Sequence, residues 1–285
     1  MDLTTSPTEW FRTSGEDLES AEYSREKKHY GDYIAKLQHS EEKLAKGNLA
    51  VFSIIRGKKP NISIELYFKE ISNGTLKTGT VFDFTHDWEE KFFKNVLNKE
   101  FLTSIGLQEN LISVITYFKE KFDKFREKKP YVGLEDLKDA LGTSKFLLGF
   151  IKQEDSLNVV KEKISKAAPE GVSIKIDNTM NYAIKKSTSA AEKARLLSNL
   201  KLTDRMLGGK LMIVLVALMP IHSLLIPHFK ADFPSQEGII YDEKNPIVAH
   251  GPEIESVLKE LLDHSENIYN ELKIAKSNYY IKRVF

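Results

Sequence analysis

The sequence contains no cysteine and almost no excess of charge of either sign. Without thiols, the 285-residue chain has no disulfide, no zinc site with thiolate ligands and no cysteine nucleophile. Its 42 basic and 41 acidic side chains leave a formal charge of +1. This balance gives the whole surface no general attraction for nucleic acid, and it leaves open a local basic patch.

Motifs that carry common chemistries are also missing. The chain has no glycine-rich loop of the phosphate-binding types, no H-E-x-x-H zinc pair and no G-x-S-x-G nucleophile turn. We therefore expect no metal and no cofactor. The first residues, MDLTTSPTEWF, lack the basic start and apolar middle of a signal peptide, so we expect a cytoplasmic location.

One apolar run, LMIVLVALMPIHSLLIPHF at residues 211–229, carries no formal charge. A membrane span needs about 20 such residues, and this run has that length. Two prolines and two histidines interrupt it, and no second candidate accompanies it. A fully buried central helix has the same composition. We expect the buried helix and no membrane, with a membrane span as the alternative.

Hydrophobic periodicity predicts an all-α fold, an up-and-down helical bundle with additional inserted helices. The sequence Ser6-Pro7-Thr8-Glu9 is typical of a capped helix start, and a second helix is predicted from Tyr30 to Arg56. Further helices are predicted at 62–72, 86–101, 109–129, 134–152, 155–167, 178–199 and from Pro252 onward. The alternating segment 171–177 reads as a single short strand.

The second predicted helix contains the polar stretch LQHSEEKLAKGNLA, residues 37–50. Its small residues Ser40 and Gly47 fall on the face predicted to be buried, where they permit a neighbouring helix to approach closely. Its polar residues are predicted to point away from that face, with Glu42 and Lys46 forming a surface ion pair four residues apart. These polar residues are Gln38, His39, Glu42 and Lys46.

Candidate acid–base residues are few. His86 and Asp87 stand together at a predicted helix start, where they suit either general-base or metal-ligand chemistry or simple helix capping. His222 and His228 lie in the apolar run, and we expect each to be a hydrogen-bonded core histidine. Cations and aromatics interleave at 119–129, but helical spacing separates them, and this favours a solvated helix face over a nucleic-acid surface.

The first two predicted helices resemble those of HEPN domains, a family of compact helical bundles. The opening helix of that family commonly reads W-x-x-x-A-x-x-D-L-x-x-A, and its second helix commonly carries Q-x-A-E-K-x-x-K-A. This chain matches the first pattern with serine for the first alanine, and the second with one extra residue after the glutamine. The matching residues are Trp10, Ser14, Asp17, Leu18 and Ala21, then Gln38, Glu42, Lys43 and Lys46.

The resemblance covers residues 6–56 and 198–275, and it implies a division of the chain. We expect one helical domain over 1–285, with 1–60 and 198–285 forming the HEPN-like core and 61–197 a helical insertion. Catalytic members of the family cleave RNA with an arginine and a histidine separated by four to six residues. Here no arginine has such a histidine after it, since Arg25 and His29 have three intervening residues.

The resemblance therefore implies a non-catalytic module rather than a ribonuclease. Such a module binds a partner protein, a nucleotide or RNA, in a toxin–antitoxin or nucleotidyltransferase-associated system. We expect a homodimer or a hetero-complex with a nucleotidyltransferase-like protein, and nucleotide or RNA contacts at Gln38, Glu42, Lys43 and Lys46. The alternative is an RNA-acting enzyme with a non-standard site that uses His86, Asp87 or His222.

Overall fold

The structure, a computed structural model, describes residues 5–56, 116, 120, 133–152, 200–228 and 239–284. Within these residues every regular element is helical, and no strand occurs. The predicted all-α class is therefore confirmed. The helices are α1 Pro7–Glu26, α2 Tyr30–Arg56, α3 Leu134–Lys152, α4 Leu200–Leu225, α5 Pro246–Ala249 and α6 Gly251–Val284, with a 3₁₀ turn at Ile226–His228. The helices predicted at 62–72, 86–101, 155–167 and 178–199 and the strand at 171–177 lie outside the described residues, as does the helix predicted at 109–129 apart from residues 116 and 120.

Helix α1 begins as its sequence predicts. Ser6 has extended backbone angles, and its side-chain oxygen accepts a hydrogen bond from the Glu9 backbone N–H at 3.3 Å. Pro7 occupies the first helical turn, where its missing N–H costs no hydrogen bond. The Glu9 carboxylate does not return the bond to the cap and instead pairs with Arg12.

Helices α1 and α2 pack as a close antiparallel pair, and small residues permit their approach. Ser14 Oγ lies 2.9 Å from both the carbonyl oxygen and the hydroxyl of Ser40. Two turns further along α2, Gly47 faces the ring of Phe11, and a methyl group on Gly47 would lie 2.4 Å from Phe11 Cε1. The predicted role of Ser40 and Gly47 as contact points for a neighbouring helix is confirmed.

Helix α2 lies at the centre of the described structure. It packs against α1, α4 and α6, and it also touches α5 and the 3₁₀ turn. Most of its residues from Tyr33 to Phe52 are buried, and its apolar side chains form one core with those of the other helices. A helix covered on several sides has little room for exposed polar residues, and this constrains where a site can form on it.

Helix α4 supplies the most apolar part of that core. The segment Lys210–His228 is long and apolar enough to cross a membrane, with mean hydropathy 2.0, and it is the one described segment with these properties. In the folded chain 78% of that window is buried against other residues. Burial of this kind is what the sequence predicts for a central core helix.

Helix α3 begins and ends where the sequence predicts. It lies in the segment predicted to be an insertion, yet it packs against α4 and α6. Ser144 on its buried side donates a hydrogen bond to the Ala217 carbonyl of α4 at 2.8 Å. The adjacent apolar residues Leu141 and Leu148 belong to the common core.

Helix α6 starts against α2 through a second glycine contact. A methyl group on Gly251 would lie 2.4 Å from Tyr33 Cε1, so any larger residue there would displace the buried Tyr33 ring. The Tyr33 hydroxyl donates to the buried carboxylate of Glu255 at 3.3 Å, and Lys259 contacts the same carboxylate at 2.8 Å. Burial first, and then the negative charge of Glu255, raise the pKa of Tyr33 above its usual range. Tyr33 therefore stays protonated and acts as a hydrogen-bond donor.

Candidate functional site

The middle of α2 reaches solvent along one narrow line of basic residues. From Tyr33 to Phe52 every residue is buried except four that are partly exposed. These four are three or four residues apart, so they share one face of the helix over about 15 Å. We call them the basic stripe: Lys36, His39, Lys43 and Lys46.

One carboxylate of α1 holds the first part of the basic stripe in place. Asp17 is 6% exposed, and its oxygens contact two lysines, with Oδ2 lying 2.5 Å from Lys43 Nζ and Oδ1 lying 3.5 Å from Lys36 Nζ. One negative charge therefore faces two positive charges, which leaves a local surplus of +1. The side chains of Lys36 and Lys43 remain 40% and 32% exposed, so this surplus is accessible to solvent.

His39 lies on the same helix face as these two lysines, three residues after Lys36 and four before Lys43. It is partly exposed, and it has no hydrogen-bond or ion-pair partner anywhere in the described part of the chain. Its ring nitrogens are therefore available to a bound group. The two lysines and the histidine together present donors toward the same solvent-facing edge of α2.

Lys46, at the other end of the basic stripe, is held by groups of both helices. Its Nζ lies 2.5 Å from Glu42 Oε1 and 5.4 Å from the centre of the Trp10 ring. The pairing predicted between Glu42 and Lys46 is confirmed, but its predicted surface location is wrong, since the Glu42 side chain is 9% exposed and that of Lys46 18%. The second Glu42 oxygen accepts a hydrogen bond from Gln38 Nε2 at 3.2 Å.

Two of the four residues predicted to bind nucleotide or RNA are buried. Gln38 is 0% exposed and Glu42 is 7% exposed, so the prediction that they point away from the core is wrong. The prediction assumed that only one face of α2 is buried. Because other helices cover α2 on several sides, polar residues outside its main apolar face are buried too. Lys43 and Lys46 reach solvent, and they belong to the basic stripe.

Buried amide oxygens accompany this polar side of α2. Gln38 Oε1 and Asn48 Oδ1 accept no hydrogen bond within the described structure, although both residues are fully buried. Their nitrogens are satisfied, since Asn48 Nδ2 donates to the Leu44 carbonyl at 2.8 Å. A buried acceptor without a donor lowers the free energy of unfolding by about 1–3 kcal/mol, and an ordered water commonly donates the missing hydrogen bond.

His222 of α4 is joined to Glu41 of α2 in the interior. Its Nδ1 lies 2.8 Å from Glu41 Oε2, and the two side chains are 2% and 0% exposed. The prediction of a hydrogen-bonded core histidine is confirmed. Glu41 was missed as its partner, and the available signal was that a histidine inside an apolar helix requires a polar group from a neighbouring helix.

His228 is the second core histidine of the apolar run, and it is also confirmed as one. It is 5% exposed, and its Nδ1 lies 2.8 Å from the hydroxyl of Tyr241, whose ring packs edge-on against it. Burial lowers the pKa of His228 to about 4. The ring is therefore neutral at physiological pH. Its hydrogen bond with Tyr241 joins the segment before α5 to the 3₁₀ turn that follows α4.

The remaining candidate catalytic residues do not assemble into a site within the described chain. Of the three catalytic candidates His86, Asp87 and His222, the structure describes only His222, and its Nδ1 is paired with Glu41 in the interior. Among the residues that the structure describes, no group of three His, Asp or Glu side chains is placed to hold a metal ion. His86 and Asp87 lie outside the described residues, and so does the basic segment 119–129 except for Glu120.

Comparison of the chain with protein-family models, with curated proteins and with solved structures gives no match. The resemblance to HEPN domains therefore rests only on sequence patterns, chiefly those of the first two helices and the residues quoted for them. The structure gives several of these residues contacts that fix the α1–α2 pair. Ser14 bonds Ser40, Asp17 holds two lysines, and Trp10 packs on Lys46.

Proposed function

We propose that this chain is a non-catalytic helical module of the HEPN type that binds a phosphate-bearing ligand, either a nucleotide or RNA. The observation that supports the proposal is the basic stripe. The central part of α2 offers solvent only lysines and a histidine, and the lysine charges complement a phosphate. The remainder of that helix surface is occupied by internal packing.

The burial of His222 and Glu41 favours binding over catalysis. A general base must come within hydrogen-bond distance of the proton that it removes. His222 is 2% exposed and its Nδ1 is already paired with Glu41, so it has no route to a ligand on the basic stripe. The arginine–histidine pair of the catalytic family members is absent from the sequence.

Assembly is the second part of the proposal. The HEPN resemblance predicts a homodimer or a hetero-complex with a nucleotidyltransferase-like protein. The molar mass of the purified chain, measured alone and mixed with a candidate nucleotidyltransferase, tests this part by itself. A chain that stays monomeric under both conditions would remove the assembly claim and leave the ligand claim standing.

The ligand claim is tested by thermal unfolding in the presence of single nucleotides and of a short single-stranded RNA. A ligand that binds only the folded state raises the unfolding temperature, and at a hundredfold excess over Kd it adds about 2.7 kcal/mol of stability. We expect such a rise with at least one of these ligands. Unchanged unfolding with all of them would contradict the claim.

A further inference from the structure

We propose that Asp17, Lys36, His39 and Lys43 form a preorganised site for a single phosphate group at the seam between α1 and α2. This inference rests on the proposed function and names the part of the chain that would carry it. The four residues come from two helices; two ion pairs join Asp17 to Lys36 and Lys43, and His39 lies between these lysines on the same face of α2. We refer to this group as the seam site.

The charge of the seam site is suited to an anion. Two lysine ammonium groups share the Asp17 carboxylate, so one positive charge is left unmatched in the free protein. The Asp17 carboxylate offsets one of the two charges, and a phosphate that contacts both ammonium groups would offset the other. The His39 ring adds at least one N–H donor on the same face of α2.

The geometry of the seam site limits the freedom of its donors. Lysine loses considerable side-chain entropy when a ligand immobilises it, which weakens binding by isolated surface lysines. Here the almost fully buried Asp17 already restrains both lysines while leaving their side chains 40% and 32% exposed. Part of the side-chain entropy of these two lysines is therefore lost when the chain folds, and less remains to be lost when a phosphate binds.

Lys46 differs from the lysines of the seam site. Its ammonium group pairs with Glu42, its side chain is 18% exposed, and it lies over the Trp10 ring. Its charge is matched within the protein, so we expect it to contribute less to phosphate binding than Lys36 or Lys43. This difference within one helix face provides an internal comparison for the experiment.

The experiment is a titration of the full chain with three probes: inorganic phosphate, a nucleoside triphosphate and a short single-stranded RNA. The variants are Lys36→Gln and Lys43→Gln, with Lys145→Gln as the control. Lys145 is an exposed lysine of α3 that pairs with Glu253 and lies away from the basic stripe. The control therefore removes the same charge without touching the seam site.

We expect each seam-site variant to raise the Kd for inorganic phosphate about tenfold, which is the effect of losing one charge-assisted contact. The control should leave Kd unchanged. With RNA, each seam-site variant should also reduce the dependence of binding on salt by about one phosphate contact. A nucleotide that binds more tightly than RNA would identify the free nucleotide as the source of the phosphate.

The variant Asp17→Asn distinguishes two explanations of phosphate binding: lysines held in position by Asp17, or a nonspecific attraction by the positive charge of the surface. This variant adds one unit of positive charge but releases both lysines. The seam site predicts weaker phosphate binding, whereas a mere field predicts stronger binding. Circular dichroism confirms that the variant is folded before its Kd is measured.

Three results would overturn the inference in distinguishable ways. Equal losses in Lys36→Gln and Lys145→Gln would refute the seam site while leaving the proposed function intact, provided that RNA still binds. Tighter binding by folded Asp17→Asn would refute its preorganisation. Failure of the wild-type chain to bind any of the three probes would remove the seam site and the ligand claim together.

Discussion

Replacing Gly47 by alanine tests whether the close contact of α1 with α2 is set by the missing side chain. In an exposed helix interior, glycine to alanine gains about 1 kcal/mol because alanine loses less backbone entropy on folding. At Gly47 the new methyl carbon would lie 2.4 Å from Cε1 and 2.7 Å from Cδ1 of Phe11. Phe11 is 1% exposed, so its ring would have to shift within the packed core to admit the methyl group.

Forcing an extra methyl into a packed core costs about 1–3 kcal/mol. After the gain in helix propensity, we expect Gly47→Ala to be destabilised by up to about 2 kcal/mol. Gly142 of α3 is the matched control because nothing lies within 4 Å of the methyl that alanine would add. We expect Gly142→Ala to be stabilised by about 1 kcal/mol.

The assay is urea unfolding followed by far-ultraviolet circular dichroism, with the denaturant slope compared among variants to confirm that the folded states are equally compact. The double variant Gly47→Ala with Phe11→Leu gives the coupling between the two sites. Removing the ring should lessen the penalty of the methyl, with a favourable coupling of about 1 kcal/mol or more. If Gly47→Ala proves as stabilised as Gly142→Ala, the close helix contact is not present in solution and the reasoning fails.

Further predictions concern the two core histidines. His222→Leu should cost about 3–5 kcal/mol because it leaves the Glu41 carboxylate buried without its imidazole partner, and urea unfolding should show that adding Glu41→Leu recovers much of this loss. For His228 the folded pKa of about 4 lies below the unfolded value of 6.5, so the unfolded chain takes up the proton first. Stability should therefore fall by about 3 kcal/mol as the pH drops from 6.5 to 4, and His228→Gln should flatten this part of the pH profile. An unchanged profile in His228→Gln would assign the acid sensitivity to other groups.

Local patterns in the sequence predicted the helices well where they depend on neighbouring residues. The start of α1 follows from Ser6 and Pro7, and the bounds of α2 and α3 coincide with those predicted from apolar spacing. The small residues Ser40 and Gly47 also indicated a close helix contact. In each case the residues that indicate the feature lie within a few positions of it, so a single sequence is enough to predict it.

Predictions failed where the outcome depends on which helix covers which face. Spacing identified one buried face of α2, and it gave no sign that α4 and other parts of the chain cover further faces. Gln38 and Glu42 were therefore expected at the surface, and Glu41 was not recognised as the partner of His222. That pair joins residues 181 positions apart, a separation that periodicity does not encode.

The basic stripe was only partly predictable for the same reason. Lys43 and Lys46 were selected through the family resemblance, whereas Lys36 was not selected and His39 was noted only as lying away from the buried face. Their common exposure becomes visible once the buried residues around them are known. The seam site adds Asp17, a residue of α1 whose carboxylate reaches two lysines of α2.

The most direct test of the proposed function is a titration of a fluorescent single-stranded RNA with the full chain, followed by inspection of the RNA length on a denaturing gel. With a labelled nucleotide titrated in parallel, the account predicts that at least one of the two ligands binds, that this binding weakens with added salt and in Lys36→Gln, and that the RNA keeps its full length. Shortened RNA whose formation is lost in His86→Ala or His222→Ala would contradict the account, because it would make the chain a ribonuclease.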